Sequence, residues 1–185
     1  MTGTPEITVA TPEDRERIVD SLVAAFPGDP VLRFLFPRDD DYRREAPEFF
    51  GHLFDKRVNK ATIWTVERGV SAAIWEPPGG SDVPAAEMRL SAEARVRMAA
   101  YDEAIHEAFP DEPYWYLGVL GTHPAAAGRR LGRAVMAVGL RRAAEDGLPA
   151  ILETSKPENV ELYRRAGWEV AAEFRDPLPV WIMRH

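Results

Sequence analysis

The stretch from Tyr114 to Ala166 limits the fold more than any other part of the chain. Tyr114–Leu120 reads as a strand, and a glycine-containing turn follows it. An amphipathic helix from about Arg129 to Glu145 leads into a second strand at Ala150–Thr154, and Pro157–Ala166 reads as a helix. Ahead of this block, Glu6–Ala10 reads as a strand, and Thr11-Pro-Glu-Asp14 as the start of a helix running to Phe26. Val31–Phe36 reads as an apolar turn and Asp40–Asn59 as a helix. Thr62–Glu67 and Val70–Glu76 form a hairpin about Arg68-Gly69, Pro77–Asp82 is a loop, and Leu90–Phe109 is a helix. Glu169–Phe174 and Val180–Met183 close the chain as strands. This order predicts an α/β fold of the α+β kind, a central mixed sheet flanked by helices, in a single domain over residues 1–185.

The composition narrows the chemistry. With no cysteine, thiol nucleophiles, disulfides and cysteine-ligated metals are excluded, which suits a cytoplasmic protein. The four histidines have no ligand spacing, so no metal site is expected. A net charge of -7 disfavours nucleic acid and anionic membranes as partners. No apolar run approaches the ~20 residues that span a bilayer. The start, Met1-Thr-Gly-Thr-Pro-Glu, lacks the pattern of a signal peptide.

Positive charge concentrates at the turn after Leu120. Leu120-Gly121-Thr122 leads through Pro124 to Ala127-Gly128-Arg129-Arg130-Leu131-Gly132-Arg133. A helix N-terminus offers unpaired N–H groups to an anion, and Gly128 and Gly132 permit close backbone approach. Arg129, Arg130 and Arg133, read as lying in the first turn, oppose the helix dipole by about 0.3–1 kcal/mol each. A polyanionic ligand explains that inversion; a solvated basic helix end is the alternative.

A second motif follows in Ile151–Trp168. Ser155-x-x-Glu158 reads as a capping box, Gly167 as a helix end, and Asn159 and Tyr163 as neighbours on one face. Together the two segments resemble the acetyl-CoA elements of the GNAT superfamily of N-acetyltransferases. The turn is similar to the Q/R-x-x-G-x-G/A signature, with Ala127 and Arg130 departing from it and Gly132 matching. The strand, N-x-x-x-Y and Gly-Trp run matches the second element. Leu152–Ser155 and Pro179–Arg184 are closer to puromycin N-acetyltransferase-like members.

The resemblance implies a GNAT-like sheet whose splayed parallel strands, Tyr114–Gly121 and Ala150–Thr154, bind acetyl-CoA as cosubstrate. Leu120, Gly121, Thr122, the segment Ala127–Arg133, Asn159 and Tyr163 would contact it, with a backbone N–H near Leu120 stabilising the oxyanion. Tyr163 would be general acid for the departing thiolate. Glu153, at the end of its strand, is the candidate base that neutralises the acceptor ammonium; a structural carboxylate is the other reading. Trp64, Trp75, Trp115 and Tyr116 are read first as core, though the hairpin could wall an acceptor pocket. Glu45, Glu48 and the acidic run at 39–41 are read as solvated helix charge. The expected partner is a small-molecule amine acceptor, and the protein a monomer or homodimer. A protein acetyltransferase and a non-catalytic acyl-CoA-binding regulator remain alternatives.

Overall fold

The computed structural model describes residues 5–80 and 88–185. The chain forms β1 (Ile7–Val9), α1 (Arg15–Ala25), α2 (Pro30–Leu35), α3 (Asp39–Asp55), β2 (Ile63–Val66), β3 (Ser71–Glu76) and α4 (Ala92–Ala108). Then come β4 (Trp115–Thr122), α5 (Leu131–Glu145), β5 (Ala150–Thr154), α6 (Pro157–Arg164), β6 (Glu169–Phe174) and β7 (Val180–Arg184). The strands make one seven-stranded sheet in the order β1-β2-β3-β4-β5-β7-β6. Only β4 and β5 are parallel, so the sheet is mixed, as the element order predicts.

That parallel contact is short. It holds Trp115 against Ala150 and Tyr116 against Ile151. Each strand continues along its outer neighbour, β4 to the Ser71–Thr122 pair and β5 to Thr154–Trp181. The two therefore part while both remain anchored. A bulge lies just beyond the last parallel pair: Ile74 faces Val119 but Trp75 faces Leu117, leaving Gly118 as the extra residue.

The bulge also inverts which face the β4 side chains take. Trp115 and Leu117 belong to the core under α5 and α6, whereas Val119 joins the core under α1 and α3. On β3, Ala72 and Ile74 face the second core and Ala73 and Trp75 the first, the period-two alternation of a strand covered on both sides. No helix among the described residues is long and apolar enough to cross a membrane.

Several local expectations change. The apolar turn at Val31–Phe36 is the helix α2, because Asp29 accepts from the N–H groups of Val31 and Leu32 at 2.9 and 3.2 Å. The hairpin turn is not the two-residue Arg68-Gly69 but runs through Glu67, Arg68 and Gly69, with φ of 51°, 54° and 124°. Only glycine suits the third position, where a Cβ would stand 3.0 Å from the Ile18 nitrogen. Part of the expected 77–82 loop and most of the N-terminal hexapeptide lie outside the described residues.

Gly139 shows how tightly α5 is seated. A Cβ there would lie 2.1 Å from Cε2 of the fully buried Trp75. Replacing Gly with Ala in a helix gains about 0.5–1 kcal/mol in propensity, but overpacking a rigid core costs about 1–3 kcal/mol. Gly139→Ala should therefore lower stability in urea unfolding; an unchanged or raised midpoint would contradict this packing.

Candidate active site

A cavity of about 340 Å³ opens where β4 and β5 part. Tyr116–Leu120 and Leu152–Ser155 line it from the sheet, and Asn159 and Tyr163 from α6. The opposite wall comes from the helices that precede β4, including Phe26, Phe49, Phe50, Met98 and Tyr101. The hairpin does not wall this cavity. Trp64, Trp75 and Trp115 are buried under α5, while Tyr116 is the one of the four aromatics that reaches the cavity.

One backbone donor follows from strand geometry. His123 donates its N–H to Val70 O at 2.8 Å, toward β3. N–H groups alternate between the two edges of a strand, so those of Gly121 and Val119 share that direction and Leu120 points the other way. On that side β5 has departed, which leaves the Leu120 N–H directed into the gap. Gly121 packs its α-carbon against α1, where a Cβ would lie 2.5 Å from Leu22. The Thr122 hydroxyl pairs with Ser71 Oγ at 2.8 Å.

Glu153 stands in this cavity on β5. Tyr116 donates its hydroxyl to Oε1 at 2.8 Å, while Oε2 is buried and unpartnered. The residue is half-buried, its open side forming part of the cavity lining. Burial pushes its pKa up to about 7, against the hydrogen bond from Tyr116 and the nearby Tyr101 hydroxyl, which favour the charged form. Asp29 and Asp102 line the same cavity, and burial raises both. Lys56 and Arg57 also reach it, but both are drawn to Glu76, Arg57 Nε lying 2.6 Å from its Oε2.

Tyr163 is buried, and burial pushes its pKa up to about 12, with the charges of Glu153 and Asp29 adding to the rise. It packs edge-on against Trp168 at 6.0 Å. Asn159, one turn earlier, donates to Thr154 Oγ1 at 3.4 Å. The expected capping box is absent: Lys156 is the N-cap of α6, and Ser155 Oγ is buried without a partner on the cavity wall. The polypeptide has turned one residue further before helix geometry begins, so the hydroxyl faces the cavity and not the helix end.

The phosphate-turn candidates form a separate, exposed surface beyond β4. Here α5 begins at Leu131, so Arg129 and Arg130 precede the helix and only Arg133 lies in its first turn. Gly128 and Arg130 have φ of 82° and 59°. Arg130 thus occupies a left-handed position that costs a side chain about 1–2 kcal/mol, which explains why glycine suits that place in the signature. A Cβ on Gly128 would meet nothing within 4 Å, so the space beside the turn is open. Gly132 lies over Thr122, 3.4 Å from its hydroxyl when a Cβ is built. Arg129 is ion-paired with Glu67 at the hairpin tip. Glu45 is not solvated: it accepts from the N–H and hydroxyl of Ser91, and Asp41 is held by Arg38 and Arg44.

Sequence reasoning missed the contribution of the helical region before β4. Asp29 and Tyr101 lie far from Glu153 along the chain, and no local spacing ties them together.

Comparison with known proteins bears on the fold that holds this cavity. Residues 85–168 match the sequence model of the Acetyltransferase (GNAT) family. Among solved structures, one from Corynebacterium glutamicum, described as histone acetyltransferase HPA2 and related acetyltransferase, is 24% identical. It aligns over 98% of this chain and 95% of its own, with a TM-score of 0.71. Arylalkylamine N-acetyltransferase 2 from Aedes aegypti is 11% identical over 99% of both chains, TM-score 0.69. An agmatine N-acetyltransferase is 15% identical over 98% of both chains, TM-score 0.59. The fold is that of GNAT acetyltransferase structures, and residues 85–168 match the sequence model of that family.

The raised carboxyl has a thermodynamic signature. A glutamate in the unfolded chain keeps its ordinary 4.5, so between 4.5 and about 7 folding takes up a proton at Glu153. Stability therefore falls as pH rises through that window, and the full cost is present above it. Glu153→Gln should unfold at higher denaturant than the parent above pH 7, by at most about 3 kcal/mol, and converge with it toward pH 4.5. A difference independent of pH would contradict the burial of this charge.

Proposed function

We propose that this chain transfers an acetyl group from acetyl-CoA to the primary amine of a small molecule. The observation that carries the proposal is the opening between β4 and β5, with the Leu120 N–H, Glu153 and Tyr163 facing one cavity. The residues fit acetyl-CoA: the open turn at Gly128 and its arginines suit phosphates, and the unpaired strand edge suits an amide-bearing chain. Leu120–Thr122, Ala127–Arg133, Asn159 and Tyr163 would hold it. Bound there, it supplies an acetyl thioester.

The chain's own groups supply the rest. An alkylammonium of pKa ~10 costs about 3–4 kcal/mol to neutralise near pH 7. Glu153, poised at about 7, is half ionised there and accepts that proton. As the nitrogen–carbon bond forms and the carbon–sulfur bond breaks, the Leu120 N–H donates to the carbonyl oxygen. Tyr163 stays protonated at neutral pH and donates a hydrogen bond to the departing sulfur. Complete proton transfer from about 12 to a thiolate of ordinary pKa about 8.5 runs uphill. The hydrogen bond is thus the main contribution of Tyr163; the proton that the nitrogen sheds as the amide forms ends on the thiolate by way of solvent, and Glu153 returns its own proton to solvent.

The cavity's modest volume and its wall of helices favour a small acceptor, and Asp29, Asp102 and Glu153 favour a cationic one. The reading includes the likeness to puromycin N-acetyltransferase-like members, a cytoplasmic setting, and a monomer or homodimer without nucleic acid or membrane.

Free-thiol release should be measured with acetyl-CoA and a panel of aminonucleosides, aminoglycosides, polyamines, amino acid amides, lysine peptides and folded proteins. Turnover is expected with a small amine, and Tyr163→Phe should lower kcat with little change in KM for acetyl-CoA. Absence of acetyl-CoA binding at millimolar concentration would overturn the reaction. A folded protein outpacing every small amine would overturn the acceptor class.

A further inference from the structure

We propose that Tyr116 is a positioning residue for this reaction: its hydroxyl holds Oε1 of Glu153 and so fixes the orientation of the carboxyl at the cavity wall. The inference rests on Glu153 being the base.

The backbone explains why these two residues meet. Tyr116 and Ile151 form the last parallel pair of β4 and β5. Ala150 and Leu152 face the core under α5, so Ile151 and Glu153 take the opposite face, and Tyr116, between Trp115 and Leu117, takes it too. Glu153 is therefore the same-face diagonal neighbour of Tyr116, one step past the point where the strands part. A side chain must be long to close that widening gap, and a phenol reaches across it at 2.8 Å.

The ring is itself held in place. Gly118, the bulge residue, leaves room for it: a Cβ at 118 would stand 3.2 Å from Tyr116 Cε1. From the other side Phe109 meets the ring edge-on, at 5.2 Å and 68°. Bulge, glycine and phenylalanine together set the phenol, and the phenol sets the carboxyl.

The consequence is chemical as well as geometric. A carboxyl with both oxygens unpartnered in this cavity could rotate and would favour its protonated form more strongly. Tyr116 donates to one oxygen and so favours the carboxylate. The other titratable groups that feel Glu153 are Tyr101 and Asp102 from α4, Tyr114 just before β4 and Tyr163 from α6, with Asp29, Lys56 and Arg57 lining the same cavity. Tyr101 also favours the charged form, and Asp102 opposes it.

Tyr116→Phe keeps the ring and its packing and removes only the donor. The first test is a carbon-13 NMR titration of the Glu153 carboxyl, assigned by its loss in Glu153→Gln, with no amine present. The midpoint should move upward in Tyr116→Phe. The second test uses acetyl-CoA and the best amine of the thiol-release panel. There kcat should fall about tenfold to a hundredfold near pH 7, with KM for acetyl-CoA retained, and the acid limb of kcat/KM should shift upward. Superimposable titrations and pH profiles for Tyr116→Phe, with Glu153→Gln inactive, would overturn the positioning role and leave the base standing. Full activity in Glu153→Gln would overturn both.

Discussion

Two parallel strands that pair for only two residues and then separate create every feature of the candidate site. Backbone hydrogen bonds normally oppose such a parting, because each unpaired group in a buried sheet costs free energy. Here β3 and β7 hold the outer edges of β4 and β5 to their ends, so the sheet survives the gap. The unpaired edge, and with it the Leu120 N–H, is left as a donor without a strand partner. The bulge at Gly118 then bends β4 away and reverses the facing of its side chains.

Burial around this gap decides the electrostatics. Glu153, Tyr163, Tyr101 and Tyr116 all sit where their charged forms are poorly solvated, and each is shifted toward its protonated state. The effect differs in use. A carboxyl raised to about 7 gains value as a base near neutral pH, whereas a phenol raised to about 12 becomes a fixed donor. The exposed turn at Ala127–Arg133 has the opposite character, being open, basic and solvated. The two regions suit the two ends of a long ligand, one polyanionic and one reacting.

Much of this was legible in the chain itself. The β4–α5–β5–α6 succession, Asn159 with Tyr163, and Glu153 at a strand end all follow from local spacing, because periodicity and caps are local. What sequence reasoning missed depends on contacts between distant segments. Val31–Phe36 is a helix because Asp29 caps it, a short segment in which capping outweighs weak periodicity. Arg129 and Arg130 fall outside α5 because Gly128 and Arg130 adopt left-handed backbone, which an arginine does not advertise. The sequence alone makes Tyr116 a core aromatic of a strand, since nothing in it discloses the parting of β4 from β5 beside that ring. Asp29 and Tyr101 reach the cavity only through packing of the helical region before β4 over the sheet.

The most direct test of this account is a crystal structure of the chain with a non-reactive acetyl-CoA analogue in which carbon replaces sulfur. The account predicts the pyrophosphate against the Gly128–Arg133 turn, the chain of the analogue between β4 and β5, and its acetyl carbonyl within hydrogen-bond distance of the Leu120 N–H. An analogue bound elsewhere, or a gap that stays closed to it at saturating concentration, would contradict the central role of the parted strands.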